Sequence, residues 1–404
     1  MTDAPTPITD DADATPARRR TRRLPRVLIA VGIVVAVLVG GSYAATAAID
    51  VVPPHTLVQI ETTQTSRWGG IFPARTAAAS AHPIAQSVAL EPLAGGVPWK
   101  GEQVPVEQFL TATETAAFLV ARDGVITSEW YGPDTDAATP LSSWSVAKSF
   151  VSLLVGQAIA RGQLAEGDRL VDILPELASG TAYDDITVAQ LLDMTAAVDI
   201  PEDYNEYWPF TGTARMYITK DLARFMADNR ATDAAPGSVG EYRSAHTQLL
   251  GMILARVTGE NLTTLLERDL WQPIGAASDA TWNLDREGGI EKAFCCINAT
   301  ARDYLRIGQL VVDGGVVGDA QVVPAEWITR ITTPAPLPVD GWGYAAQWWH
   351  VPGGDGADLS AIGVYGQYIY VDPPSGTVIV KLSDYGTEQD EQETIDVFRA
   401  IAGR

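Results

Sequence analysis

Sulfur and positive charge are both scarce in this chain. Its 404 residues hold 2 cysteines, 4 histidines and 28 basic residues against 50 acidic ones, for a net charge of −22. The cysteines are neighbours, Cys295 and Cys296. Adjacent cysteines cannot staple distant segments and no histidine pair stands near them at ligand spacing, so neither a disulfide framework nor a zinc site is expected. They read as small buried residues. Six arginines and four aspartates in residues 1–26 sum to +2, which leaves −24 on everything after them and excludes a nucleic-acid surface. No repeat is present, and no serine sits in a Gly-x-Ser-x-Gly elbow. His55 and His82 lie in a Pro/Ala-rich stretch and His350 beside a Trp pair, so a Ser-His-Asp arrangement is disfavoured. His246 is expected to pack behind Tyr242 or to cap a helix. Nothing points to a metal or a cofactor.

Lysine is the rarest cation relative to its role: 5 of the 28 basic residues, the other 23 being arginine. Yet one of these lysines closes the stretch Ser145-Val146-Ala147-Lys148. Random placement of 17 serines and 5 lysines in 404 positions gives roughly 0.2 pairs at this spacing. Residues i and i+3 share a helix face, so the amine can reach the hydroxyl. A hydroxyl is a poor nucleophile near pH 7 until a base takes its proton. A buried lysine can lose its charge and serve as that base, whereas an arginine cannot. Tyr242-Arg243-Ser244 offers a phenol that a neighbouring Lys⁺ would acidify, suited to relaying a proton.

Residues 1–26 read as a disordered cytoplasmic tail ending in a basic flank, Arg18 to Arg26. Residues 27–48 are apolar and uncharged, long enough to span a bilayer as an anchor or uncleaved signal, with the bulk of the chain outside the cytoplasm. Cleavage near Ala47 would make the protein secreted instead. Arg22-Arg23 is a weak twin-arginine hint, because Pro25 stands where an apolar aromatic is usual. Residues 49–108, rich in Pro, Gly, Ala and Thr, read as a stalk wrapping onto the body. Residues 109–404 form the body. Apolar runs on either side of Asp123-Gly124 predict a β-hairpin. Helical periodicity predicts helices over residues 145–161 and 247–258, the second ending at Gly259, and over residues 391–402. Residues 343–349, 364–371 and 377–382 predict successive strands. Strands at both ends with helices between them predict an α/β (α+β) body: one antiparallel sheet flanked by helices, beside a mostly helical subdomain. The aromatics from Tyr204 to Phe210, with Trp348 and Trp349, are candidates for an acyl pocket.

In order along the chain, Ser143-Trp144-Ser145-Val146-Ala147-Lys148-Ser149-Phe150, Gly162-Gln163-Leu164, Leu174-Pro175-Glu176-Leu177, Leu191-Leu192-Asp193-Met194-Thr195, Tyr242-Arg243-Ser244 and Val257-Thr258-Gly259 resemble the serine β-lactamase and penicillin-binding-protein superfamily. The likeness is greatest to its class C branch, with related esterases, D-aminopeptidases and 6-aminohexanoate-dimer hydrolases. The run from Phe294 to Asp303 resembles the oligomer-hydrolase branch. The resemblance implies a β-lactamase/transpeptidase-like fold and an acyl-enzyme on Ser145, with Lys148 as base and Tyr242 as proton relay. It places Ser244 against the relay or substrate, and lays the third family motif on Ala361-Ile362-Gly363. The Val364 N–H would then join that of Ser145 as the oxyanion hole, with Gly363 letting the substrate approach closely, while Tyr204 and Trp348 are the substrate-lining candidates that the aromatic pattern itself supplies. Ala361 departs from the family, which carries a cation there for the carboxylate of β-lactams. The implied activity is therefore hydrolysis of a small or peptide-like amide or ester rather than of β-lactams. The alternative is a penicillin-binding or sensor-like module of the same fold that acylates without turnover.

Overall fold

The computed structural model describes residues 1–4, 24–92, 95–204, 209–386 and 390–403. Most of the tail and its basic flank, and Tyr207 and Trp208 of the aromatic loop, lie outside the described residues. The chain separates into two units, residues 1–49 and 50–404. The first is dominated by helix α1 (Leu24–Ala48). Its 21 residues from Leu28 to Ala48 are apolar, uncharged and unburied. At about 1.5 Å per residue that stretch is about as long as a bilayer's hydrocarbon core is thick.

In the second unit the chain forms α2 (Pro54–Thr62), β1 (Ala74–Ala77), β2 (Ser87–Val88), β3 (Thr115–Arg122), β4 (Val125–Tyr131) and β5 (Leu141–Ser142). Then follow α3 (Ala147–Ala160), α4 (Ser244–Thr258), β6 (Ala280–Asn283), β7 (Ile297–Ala299) and α5 (Ala301–Val312). The C-terminal part adds β8 (Gly343–Ala345), β9 (Trp348–His350), β10 (Leu359–Gly363), β11 (Gln367–Asp372), β12 (Thr377–Ser383) and α6 (Glu391–Ala402).

Eight strands form the main sheet in the order β8-β9-β10-β11-β12-β3-β4-β2. The expected antiparallel pairing holds except at the edge, where β2 runs parallel to β4 and makes the sheet mixed. Alternation along β3 explains the layering. Ala117, Leu119 and Ala121 belong to one buried cluster, Phe118 and Val120 to another, so both sheet faces are covered. α6 closes one face through Ile395 and Phe398. On the other, Gly308 of α5 leaves room for Val378 and Ile369, which a Cβ would meet at 2.3 and 3.0 Å. A four-stranded sheet, β1-β6-β7-β5, and the helices around α3 and α4 complete the α/β body. The segment expected to be a stalk is laid onto the body in short pieces, its β1 pairing with β6 and its β2 with β4.

The β3–β4 hairpin turns on Asp123 at φ 47° and Gly124 at φ 78°, the two positive angles that an Asp-Gly step accepts most readily. α3 is buried at every position from Ala147 to Ala158, as befits a helix enclosed on all sides. The expected single strand over residues 343–349 is instead a second hairpin, β8 and β9, turning on Ala346 at φ 42° and Gln347 at φ 72°. Neither residue favours that backbone, so the turn is held from outside. Asp193 accepts from Ala346 N at 2.9 Å, and Gln347 reaches the carbonyls of Leu191 and Leu192 at 3.0 and 2.9 Å.

Candidate active site

The site forms where the end of β10 meets the start of α3. A 3₁₀ turn, Trp144–Val146, feeds α3. β7 fixes it from behind: Ser143 N donates to Ile297 O at 2.7 Å, and Ile297 N to Ser143 Oγ at 3.0 Å. Ser145 and Lys148 therefore project from a rigid helix start. Lys148 Nζ donates to Ser145 Oγ at 2.8 Å and to Phe294 O at 2.9 Å. The lysine is 1% exposed, the serine 8%. Burial pulls the Lys148 pKa down to about 7, against the opposing pull of the Glu202 charge. At neutral pH a large fraction of this amine is thus unprotonated.

Tyr242 stands over the amine, its ring centroid 4.9 Å from Lys148 Nζ, with its phenol interacting with the Ser145 hydroxyl. Trp349 stacks on it at 5.3 Å and Tyr344 meets Trp349 edge-on at 4.8 Å. The expected acidification of this phenol is not found. Burial, followed by the charge of Glu202, raises its pKa well above the ordinary value, so Tyr242 is a neutral phenol that must give up a proton to receive one.

A pocket of about 410 Å³ opens in front of these groups, lined by Ser145, Tyr204, Tyr242, Trp349, Ile362, Gly363 and Val364 among others. Gly363 lies so close to the backbone at Ser145 that a Cβ there would sit 3.0 Å from Ser145 N and 2.9 Å from Ser143 O. β10 presents Ile362, not the buried Ala361, to the pocket, and neither carries a charge. Among the described residues the lining holds three carboxylates, Glu202, Asp340 and Glu391, and no cationic side chain.

Two expected substrate contacts are displaced. Ser244 is fully buried at the start of α4 and gives both its N–H and its hydroxyl to Glu202 at 2.7 Å, because the first turn of a helix leaves such donors unsatisfied. Trp348 is fully buried, and the β8–β9 turn brings its neighbour Trp349 to the pocket instead. His246 is also buried, in the first turn of α4, where its Nε2 accepts from Val198 N at 3.4 Å. Burial, then the Arg243 charge, depresses its pKa to about 3, so it stays neutral and lies apart from the pocket lining. Cys295 and Cys296 are buried as expected but joined to each other, a local ring that ties no distant segments together. Cys296 takes φ 74° within it, two residues after Phe294, whose carbonyl receives the lysine.

Glu202 was not legible in the sequence. Its carboxylate accepts from Ser244, from Thr213 at 2.9 Å and from the Tyr204 phenol, and so ties the aromatic loop to α4. No local motif marks it. Its one sequence signal is a carboxylate two residues before Tyr204 in a segment otherwise read as aromatic lining.

Residues 106–403 match the β-lactamase family, and the chain belongs to it. It is a serine hydrolase of that family, related to a 6-aminohexanoate-dimer hydrolase. The 6-aminohexanoate-dimer hydrolase of Paenarthrobacter ureafaciens is 32% identical over 347 residues, covering 79% of this chain and 84% of that protein. A solved Bacillus anthracis structure, described as a candidate enzyme of the same kind, superposes with a TM-score of 0.74 at 23% identity, covering 84% and 91% of the two chains. A family VIII carboxylesterase superposes with a TM-score of 0.58 at 18% identity over 73% of this chain and 94% of its own. At those identities the two structures show the shared β-lactamase/transpeptidase-like α/β fold.

Proposed function

We propose that this protein hydrolyses an amide or ester through an acyl-enzyme on Ser145. The observation that carries the reading is the 2.8 Å contact between a buried lysine with a pKa near 7 and a serine hydroxyl facing a pocket. Neutral Lys148 takes the Ser145 proton as Oγ attacks the substrate carbonyl. The negative charge moves to the carbonyl oxygen, which the N–H groups of Ser145 and Val364 stabilise. Tyr242 passes its phenolic proton to the leaving amine or alcohol and is reprotonated by Lys148, so the C–N or C–O bond breaks with the proton balance closed. A water then attacks the ester carbonyl, its proton going through Tyr242 to Lys148, and Ser145 leaves with a proton returned to Oγ.

An amide is the favoured substrate, since the chain is 32% identical over 347 residues to a 6-aminohexanoate-dimer hydrolase. Three pocket carboxylates and uncharged residues at 361 and 362 disfavour an anionic substrate of the β-lactam type. We place the catalytic body outside the cytoplasm, held by α1. Support comes from the apolar 21-residue stretch and the arginines that precede it, since positive flanks stay cytoplasmic.

A fluorophosphonate probe is expected to label the wild-type protein and to leave Ser145→Ala unlabelled; labelling that persists in the variant refutes the assignment. A panel of nitrocefin, short p-nitrophenyl esters, D-amino-acid amides and aminohexanoate dimer then reads the preference. Acylation with no continuing product release would establish the non-turnover alternative. Protease added to intact cells should digest the body, and protection of the body would overturn the proposed topology.

A further inference from the structure

A second cavity, of about 430 Å³, adjoins the catalytic pocket, and Tyr204 lines both. Its walls include Leu57 and Ile60 of α2, with Trp68, Trp144, Tyr217 and Tyr365. Trp144 directly precedes Ser145 and Tyr365 directly follows Val364. The cavity therefore begins beside the two residues whose N–H groups would hold the oxyanion.

The rings fix one another. Trp144 stacks on Tyr217 at 5.5 Å and meets Trp68 and Tyr365 at 5.0 and 4.8 Å. A wall of interlocked rings is preformed, so little ordering cost falls on an incoming group. Among the described residues the lining holds one carboxylate, Glu61, and it is exposed. The α2 part of the wall lies outside residues 106–403, the region matching the family.

We infer that this cavity is a subsite for an uncharged, unbranched aliphatic segment joined to the carbonyl that Ser145 attacks. The inference rests on the serine hydrolase reading. Apolar walls reward burial of methylenes, among the described residues the lining holds no cation for an anionic end, and the rim carboxylate repels one.

The test is the full-length protein in lipid nanodiscs, detergent being itself an aliphatic competitor, with p-nitrophenyl esters from acetate to octanoate. Expected is a rise in kcat/KM of up to about fourfold per methylene until the cavity is filled. Ile60→Trp, which fills the cavity, should lower the octanoate-to-acetate ratio of kcat/KM at least tenfold, and Ile60→Ala should not. A flat series, or a ratio unmoved by Ile60→Trp, overturns the subsite. Calorimetric titration of Ser145→Ala with octanamide gives a readout that needs no hydrolysis. Saturable binding that Ile60→Trp removes sustains the subsite even if every ester survives the wild type, an outcome that would sink the hydrolase reading alone. No binding overturns the subsite.

Discussion

Replacing Lys148 by methionine should stabilise the fold while destroying its chemistry. The structure buries the amine completely and lowers its pKa from 10.5 to about 7. Between those values the unfolded chain holds a proton that the folded chain has released, so wild-type stability rises with pH across the window. Integrated over the shift, the difference is about 5 kcal/mol, fully developed below pH 7 and absent above 10.5. Methionine has nearly the same length and no charge, so the variant lacks this penalty. It also leaves the Phe294 carbonyl without its donor, which costs about 1–3 kcal/mol at any pH. The variant should therefore be more stable than wild type by about 2–4 kcal/mol at pH 7, and less stable by about 1–3 kcal/mol near pH 10.5. Urea unfolding of both proteins, followed by tryptophan fluorescence at intervals from pH 7 to 10.5, measures the crossing. Other groups titrate equally in the two proteins and cancel. A difference that stays flat across the window, or a variant destabilised at pH 7, would refute the buried neutral lysine. Fluorophosphonate labelling should be lost in the same variant.

The remaining expectations concern the reaction. With Lys148 as base, log kcat/KM should fall by one unit per pH unit below about 7 and level above it; a flat profile from pH 5 to 8 contradicts the mechanism where chemistry limits the rate. Glu202→Gln removes the charge that opposes the depression, so the acid limb should move to lower pH, and a shift upward would show that Glu202 acts otherwise. Gly363→Ala puts a methyl 3.0 Å from Ser145 N, at the place the oxyanion needs, and should lower kcat about 100-fold or more; normal turnover would exclude this oxyanion site. Tyr242→Phe keeps the stack on Trp349 but removes the relayed proton, for a loss of about 10²- to 10⁴-fold in kcat.

What the sequence disclosed follows the range of the forces involved. The Asp123-Gly124 turn and the helix over residues 391–402 depend on local backbone preference and periodicity, and both are present as expected. The spacing of Ser145 and Lys148 is likewise local, and the helix start converts it into a 2.8 Å contact. The β8–β9 turn was not legible, because Ala346 and Gln347 are held at positive φ by partners more than 150 residues away. Which of Trp348 and Trp349 meets the pocket depends on that turn. Ser244 was expected before a helix starting at residue 247, but the helix starts at Ser244 itself, and nothing near it in sequence names Glu202 as its partner. The direction of the Tyr242 shift was missed for a related reason: local reasoning set the phenol beside a charged lysine, whereas burial of the phenol, followed by the negative charge of Glu202, raises its pKa.

The scarcity of lysine then acquires a physical reading. Three of the five, Lys148, Lys292 and Lys381, are buried, and burial depresses each pKa. Arginine cannot shed its proton, so a cation that is to be buried as a neutral group has to be lysine, whereas the buried Arg243, Arg306 and Arg399 are each paired with a carboxylate. Neutrality alone does not make a base. Lys292 Nζ lies 3.2 Å from the Phe72 ring centroid with no hydrogen-bond partner among the described residues. Lys381 donates to the hydroxyl of Ser383, a second serine–lysine contact in the same fold, yet Ser383 is fully buried. Ser145 differs from Ser383 in its surroundings: it lines a pocket, Gly363 keeps the space beside its N–H open, and Tyr242 stands over the amine. On the proposed mechanism a serine beside a depressed lysine is not sufficient, and the cavity in front of Ser145 is what decides which of the two pairs acts.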